Sequence, residues 1–160
     1  MSSSTAELSI WDVIVREAAE ESELWAAALR PDGERDETPV FSPLGPARFA
    51  LGLESIYEGY LLHYGRPRLF APADADTAIL LGDYLYAHGL VRVAEHGEVA
   101  VVADLAALIS RCAQLRAEGR DGDGQAWAGT AASLGADVVR PELDADAVAR
   151  ALALHDTFVD

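Results

Sequence analysis

The stretch ILLGDYLYAHGLVRVA (Ile79–Ala94) decides the fold class, and it holds an aspartate within an apolar helical pattern. At helical spacing, one stripe of this stretch is apolar apart from Asp83. The stripe comprises Ile79, Asp83, Tyr86, Ala87, Leu90, Val93 and Ala94, and the opposite stripe carries Tyr84, His88, Arg92 and Glu95. Because an apolar stripe normally faces the core, we expect Asp83 to be buried and hydrogen-bonded, so that Asp83→Ala is destabilising.

Similar helical patterns run along the rest of the chain. Predicted helices cover residues 10–30, 46–64, 98–118, 125–135 and 144–158, and the helix that contains Asp83 runs from about residue 74 to residue 97. Ser9 is a fair N-cap for the first helix, and Gly65 and Gly119 end the second and fourth. Five to six helices and no convincing strand predict an all-α helical bundle, in which residues 1–160 form a single domain.

The helix predicted over residues 46–64 is apolar nearly all round, which is typical of a central helix. One stripe carries Phe49, Leu53, Ile56, Tyr57, Tyr60 and Tyr64. Glu54 and Glu58 lie on the other side at i,i+4 spacing. Without a histidine on that stripe, we interpret the two glutamates as a solvated or hydrogen-bonded face rather than an acid–base or metal pair, and we expect Glu58→Ala to cost little.

Composition restricts the function classes. The chain has 27 Asp plus Glu against 12 Lys plus Arg, a net charge of −15, which argues against binding to nucleic acid or to an anionic membrane surface. Cys112 is the single cysteine and predicts an inert core thiol in a reducing, cytoplasmic setting. No apolar run approaches the ~20 residues that span a bilayer, and MSSSTAELS lacks signal-peptide features.

No set of residues predicts catalysis or a cofactor. The four histidines, His63, His88, His96 and His155, show no metal-ligand spacing, and the sequence has no glycine-rich phosphate loop. The DGDG stretch at residues 121–124 lacks the later ligands of a calcium loop and is interpreted as a solvated turn. We therefore expect no metal and no cofactor.

Two segments together resemble the trans-polyprenyl diphosphate synthase family. LESIYEGYLLH (residues 53–63) is similar to the family's E-x-I-H-x-x-x-L-I-H-D-D helix, and AILLGDYLYA (residues 78–87) is similar to its A-I-L-x-G-D-Y-L helix. The resemblance covers about residues 50–118 and implies part of the isoprenoid synthase fold. Tyr64 and Gly65 occupy the positions of the family's acidic pair, so the resemblance implies a relative that has lost the magnesium-diphosphate site.

The resemblance leads to two hypotheses. In the first, the chain is a non-catalytic partner or regulatory subunit, as a homodimer or with a larger prenyltransferase-like subunit, and Leu81 and Leu85 contribute to the interface. In the second, it binds an isoprenoid or another apolar small molecule in a tyrosine-lined interior. The predicted lining residues are Asp83, Tyr57, Tyr60, His63 and Tyr64. An enzyme with unrelated chemistry around Glu54, Glu58 and His63 is a third alternative.

Overall fold

The computed structural model describes residues 8–135 and 145–159, and every regular element within these ranges is a helix. The α-helices are α1 (Ile10–Glu21), α2 (Glu23–Ala27), α3 (Ala50–Tyr64), α4 (Ala75–Ala94), α5 (Val99–Ala117), α6 (Asp123–Ser133) and α7 (Ala145–Val159). Short 3₁₀ turns lie at Asp32–Glu34, Ser42–Leu44 and Ala47–Phe49. The all-α fold class predicted from the sequence is confirmed.

The first predicted helix is divided in two at Ser22. Ser9 caps α1 by accepting a hydrogen bond from the Asp12 amide at 3.1 Å, as expected. Ser22 adopts an extended backbone, and its hydroxyl accepts from the Leu24 amide at 3.0 Å, which starts α2. A serine inside a helical pattern can cap a new helix in this way, because its side chain competes for backbone donors.

Helices α3 and α4 pack antiparallel at the centre of the bundle, with glycines of the two helices facing each other. A Cβ atom placed on Gly59 would lie 2.8 Å from the carbonyl oxygen of Gly82, and one on Gly89 would lie 3.0 Å from that of Gly52. The two glycines within each helix, Gly52 and Gly59 in α3 and Gly82 and Gly89 in α4, are two turns apart. Only glycine allows two helix backbones to approach this closely, so these four positions fix how α4 is rotated about its axis.

This rotation corrects two expectations about α4. Leu81 and Leu85 are buried in a cluster with Trp11 and Ile14 of α1, so they belong to the core and are not available for an interface. The side chain of Asp83 is 64% exposed, so the prediction that it is buried is wrong. The glycine side of α4 faces α3 and the leucine side faces α1, which leaves much of the predicted apolar stripe directed outward.

Part of the polar stripe of α4 lies against α1. Glu17 of α1 pairs with His88 at 2.7 Å and accepts from Nε of Arg92 at 3.2 Å. The stripe therefore holds α1 in place through an ion-pair cluster.

The prediction that the second helix is central is confirmed, because α3 is buried along most of its length. Helices α5, α6 and α7 pack on the side of α3 that carries Tyr57 and Tyr60. The core there also includes Phe41 and, from α6, Trp127. Among the described helices, none combines the length and the apolar character that crossing a bilayer requires.

Candidate functional site

Glu54 and Glu58 form a buried ion network with Arg68. Nη1 of Arg68 donates to Oε1 of Glu54 at 2.7 Å, and Nε donates to Oε1 of Glu58 at 3.0 Å, with all three side chains at 0% exposure. The other carboxylate oxygens accept from backbone amides: Val40 and Ser42 donate to Glu54 Oε2, each at 3.1 Å. Leu69 donates to Glu58 Oε2 at 2.8 Å.

The electrostatics of this network indicate a structural role. Burial by itself lowers the pKa of Arg68, but the two carboxylates outweigh burial and raise it. The guanidinium also lies 4.9 Å from the Trp11 ring centre and 5.1 Å from that of Tyr57. One guanidinium serves two carboxylates, and backbone amides satisfy the remaining carboxylate oxygens, so this arrangement joins the segments on either side of α3 to that helix.

The network corrects the interpretation of the two glutamates as a surface pair of little consequence. The two glutamates are hydrogen-bonded, as one of the two alternatives predicted, but they lie in the core and not on a solvated face. A sequence signal existed, because carboxylates on a helix that is apolar nearly all round must be buried and must find a cation. Arg68, in the loop that follows the helix, is the cation that meets this requirement.

Asp83 and His63, two of the predicted lining residues, are in direct contact. His63 Nε2 lies 3.0 Å from Asp83 Oδ1. The His63 ring stacks on Tyr86 with ring centres 5.1 Å apart and lies 5.6 Å from the ring of Tyr64. This pair lies at the surface where α3 and α4 meet, so the structure brings together His63, Tyr64 and Asp83 at one edge of the bundle.

Tyr57 and Tyr60, the other two predicted lining residues, are core residues. Both rings are almost fully buried and stack on each other with centres 5.7 Å apart. Tyr57 also meets Trp127 edge-on at 5.1 Å, and its hydroxyl lies 2.7 Å from Nδ1 of His155. Burial raises the pKa of Tyr57 above its ordinary range. Side chains occupy the space beside these rings, whereas the ligand-binding hypothesis requires open space there.

A second polar cluster lies where α5 ends and α6 begins. Asp123 accepts a hydrogen bond on Oδ2 from the Tyr60 hydroxyl and another from Nε of Arg116 at 2.7 Å. Arg116 also donates from Nη2 to the Tyr60 hydroxyl at 2.8 Å. Burial and the bond to Asp123 raise the pKa of Tyr60. Burial lowers the pKa of Arg116, but its bonds to Asp123 and Tyr60 reverse the effect and raise it.

The Asp123 carboxylate is incompletely satisfied. Its side chain is 7% exposed, and its Oδ1 atom is buried without a hydrogen-bond partner among the residues that the structure describes. Asp123 lines a cavity of about 480 Å³ between the end of α5, the start of α6 and the end of α7. The polar wall of this cavity includes Arg116, Arg120, Asp121, Asp123, His155 and Asp156. The interpretation of residues 121–124 as a solvated turn is wrong for Asp123, which begins α6 and is buried. The residues that α5 and α7 add to this site are distant in sequence, so no motif indicates that they meet.

The outward side of α4 is an exposed surface that is apolar apart from Asp83, and we call it the outer face of α4. It comprises Ile79, Leu80, Asp83, Ala87, Val91 and Ala94. The exposed fractions of Ile79, Leu80 and Val91 are 48%, 56% and 56%. These positions fall within about one third of the helix circumference, so the side chains form one continuous strip along the helix.

Neither metal chemistry nor similarity to other proteins assigns a function to these sites. Within residues 8–135 and 145–159, no group of three or more His, Cys, Asp or Glu side chains is arranged to hold a metal ion. No match was found when the chain was compared with models of protein families, with curated proteins and with solved structures.

Proposed function

We propose that this chain is a non-catalytic helical subunit that acts by binding a polyprenyl-synthase-like catalytic chain, as a partner or regulator of a prenyltransferase. In this role it supplies a binding surface and no reacting group. A cytoplasmic location belongs to the same proposal, because the single cysteine suits a reducing compartment.

The observation that carries the proposal is the outer face of α4. Three large aliphatic side chains, Ile79, Leu80 and Val91, are each about half exposed on this one strip. The other exposed large aliphatic side chains among the described residues, Leu8, Leu24 and Val99, lie away from α4, whereas these three share one face of a single helix. A continuous exposed apolar strip of this kind is typical of a protein–protein interface.

The family resemblance supports the choice of partner. The segments at residues 53–63 and 78–87 that resemble polyprenyl diphosphate synthases are parts of α3 and α4, the two helices that pack most closely. Tyr64 and Gly65 stand where the family has its acidic pair, which argues against catalysis by this chain itself. Asp83 lies within the outer face, where its pairing with His63 reduces its cost in an interface.

Reconstitution with a catalytic subunit tests the proposal. The purified chain is mixed with an aspartate-rich polyprenyl diphosphate synthase from the same genome, and light scattering and product formation are measured. We expect a complex of defined mass and a change in rate or product length. The double variant Leu80→Glu, Val91→Glu should abolish both effects, because it places charge on the apolar strip.

Leu24→Glu is the matched control, because Leu24 is 49% exposed but lies on α2. This variant should bind as the wild type does. Loss of binding in both variants, or in neither, would contradict the role of the outer face. A stable homodimer of the chain alone that the double variant dissociates would replace the catalytic partner with a second copy. A specific interface of either kind buries about 1,200–2,000 Å² in total.

A further inference from the structure

We propose that a cavity between α7 and the segment at residues 38–43 binds a small apolar carboxylate, with its hydrocarbon body in the cavity and its carboxylate at Arg150. The volume of the cavity is about 280 Å³, which is just below the range typical of small-molecule pockets. The site shares no residue with the outer face of α4 and does not depend on the proposed function.

The wall formed by residues 38–43 offers a ligand hydrocarbon and no hydrogen-bond donor. Pro39 and Pro43 line the cavity and have no backbone N–H. The amides of Thr38 and Val40 already donate to carboxylates, at 3.0 Å and 3.1 Å, and the Thr38 hydroxyl also donates to a carboxylate. A polar group placed against this wall would lose its bonds to water without replacement, so the wall favours an apolar ligand.

The same wall is fixed in position by the buried ion network of α3. Oε2 of Glu54 accepts from the Val40 amide, and Nη1 of Arg68 donates to the Thr38 carbonyl oxygen at 2.8 Å. The side chains of Glu54 and Arg68 have no exposure to solvent. The cavity is therefore formed before a ligand binds, and binding costs little ordering of the chain.

The opposite wall is one face of α7, on which positions i, i+3, i+4 and i+7 line the cavity. Ala147 and Ala151 are small, so they leave the space open, and Leu154 adds apolar surface. Val40 and Ala151 are 1% and 3% exposed and form the floor, whereas Arg150 is exposed at the rim. The cavity is therefore apolar at its base and cationic at its edge.

Arg150 determines the charge of the ligand, because it is the one charged residue among the described residues that line the cavity. No other described residue forms an ion pair with it, although Asp146 lies one turn earlier on α7. A guanidinium binds a carboxylate through two parallel hydrogen bonds. At physiological salt, exposed charges more than about 8 Å away are largely screened, so this nearby cation attracts an anion although the net charge is −15.

Titration of the isotope-labelled chain with hexanoate, followed by the NMR shifts of its backbone amides, tests the inference. 1-Hexanol and hexylammonium are the matched probes, because they carry the same hydrocarbon body with a neutral or a cationic head. We expect saturable binding of hexanoate with its largest shifts at residues 38–43 and 147–154. 1-Hexanol should bind about tenfold more weakly, and hexylammonium more weakly still.

Three outcomes of this titration would overturn the proposal. Equal or tighter binding of 1-hexanol or of hexylammonium would remove the role of the cation. Largest shifts outside the two segments would place the binding elsewhere. Shifts that stay linear in hexanoate concentration up to the solubility of the probe would show that no site exists.

Variants of the two walls locate the binding. Arg150→Gln should weaken hexanoate binding about tenfold and leave 1-hexanol binding unchanged. Ala147→Leu should abolish the binding of both, because the larger side chain fills the cavity. Arg16→Gln is the control, since Arg16 is exposed on α1 and its loss changes the net charge equally. Unchanged affinity for hexanoate in Arg150→Gln or Ala147→Leu, or equal weakening in the control, would contradict the site.

Discussion

Arg68 and Glu58 form a salt bridge of 3.0 Å in which neither side chain has any exposure to solvent. Glu58 also accepts from the backbone amide of Arg68 at 3.2 Å, so the arginine is bound through both its side chain and its main chain. Removing Arg68 would leave two carboxylates in the core without a cation, and removing Glu58 would leave buried donors of Arg68 and Leu69 without an acceptor. Single substitutions within this network should therefore be strongly destabilising.

The first prediction contrasts Glu58 with Asp83. Glu58→Ala should lower the free energy of unfolding by about 3–5 kcal/mol, because it leaves three buried donors, Nε of Arg68 and the backbone amides of Arg68 and Leu69, without their acceptor. Asp83→Ala should cost less than about 1 kcal/mol, because the Asp83 side chain is 64% exposed and its pairing with His63 is screened by water. Urea denaturation of both variants measures the difference. A similar loss of unfolding free energy in the two variants would contradict the burial of Glu58.

The second prediction concerns the glycine contacts between α3 and α4. Gly59→Ala should destabilise the protein by about 1–3 kcal/mol, because its Cβ would lie 2.8 Å from the carbonyl oxygen of Gly82. Gly129→Ala is the matched control in α6, where a Cβ meets nothing within 4 Å. There alanine should stabilise by about 0.5–1 kcal/mol, since it restricts the unfolded chain and favours the helix. Melting temperatures that shift in the same direction would contradict the close approach of the two helices.

The third prediction is a loss of stability at alkaline pH through Cys112. Burial, reinforced by the Asp123 carboxylate, raises the pKa of Cys112 to about 12. An unfolded thiol has a pKa of about 8.5, so folding favours the neutral form. The stabilisation is complete below about pH 8.5 and is lost as the pH rises toward about 12.

The measurement compares the wild type with Cys112→Ala at pH 8 and pH 11. Between these values the wild type should lose about 3 kcal/mol more than the variant, from about 1.36 kcal/mol per unit of pKa shift. The buried tyrosines are common to both proteins, so their titration cancels in the difference. Parallel losses would show that the thiol of Cys112 titrates normally.

The fourth prediction is that the chain alone does not bind an allylic diphosphate with magnesium. Tyr64 and Gly65 provide no carboxylate ligands, and a magnesium ion needs hard oxygen donors to hold a diphosphate. Titration of the purified chain with an allylic diphosphate, with and without magnesium, tests this. Micromolar binding that requires magnesium would contradict it.

The positions of the helices were predictable from the sequence, because helix ends are set by local chemistry. Asp74 accepts from the Thr77 amide at 2.7 Å at the start of α4, and Gly119, with φ +65°, follows the end of α5. The break at Ser22 was not predicted, because the residues around Ser22 are compatible with both a helical and an extended conformation of this serine.

The rotation of α4 and the polar sites were not predictable in the same way. Gly82 and Gly89 contribute no apolar side chain, so a count of hydrophobic residues centres the predicted core side about a quarter turn away from them, on the stripe that contains Asp83. The contact that orients α4 depends on backbone atoms of α3. The Asp123 site needs Tyr60, Arg116 and His155 from three other helices, and no spacing in the sequence indicates that they meet.

The carboxylates of Glu54 and Glu58 have a consequence for the non-helical segments that they bind. The amides of Val40, Ser42 and Leu69 lie outside α-helices, and each donates to a buried glutamate oxygen. In deuterated solvent these three amides should exchange as slowly as those in the middle of α3, because opening them requires breaking the ion network. The proline-containing connection before α3 should accordingly resist proteolysis, although its composition is that of an exposed linker.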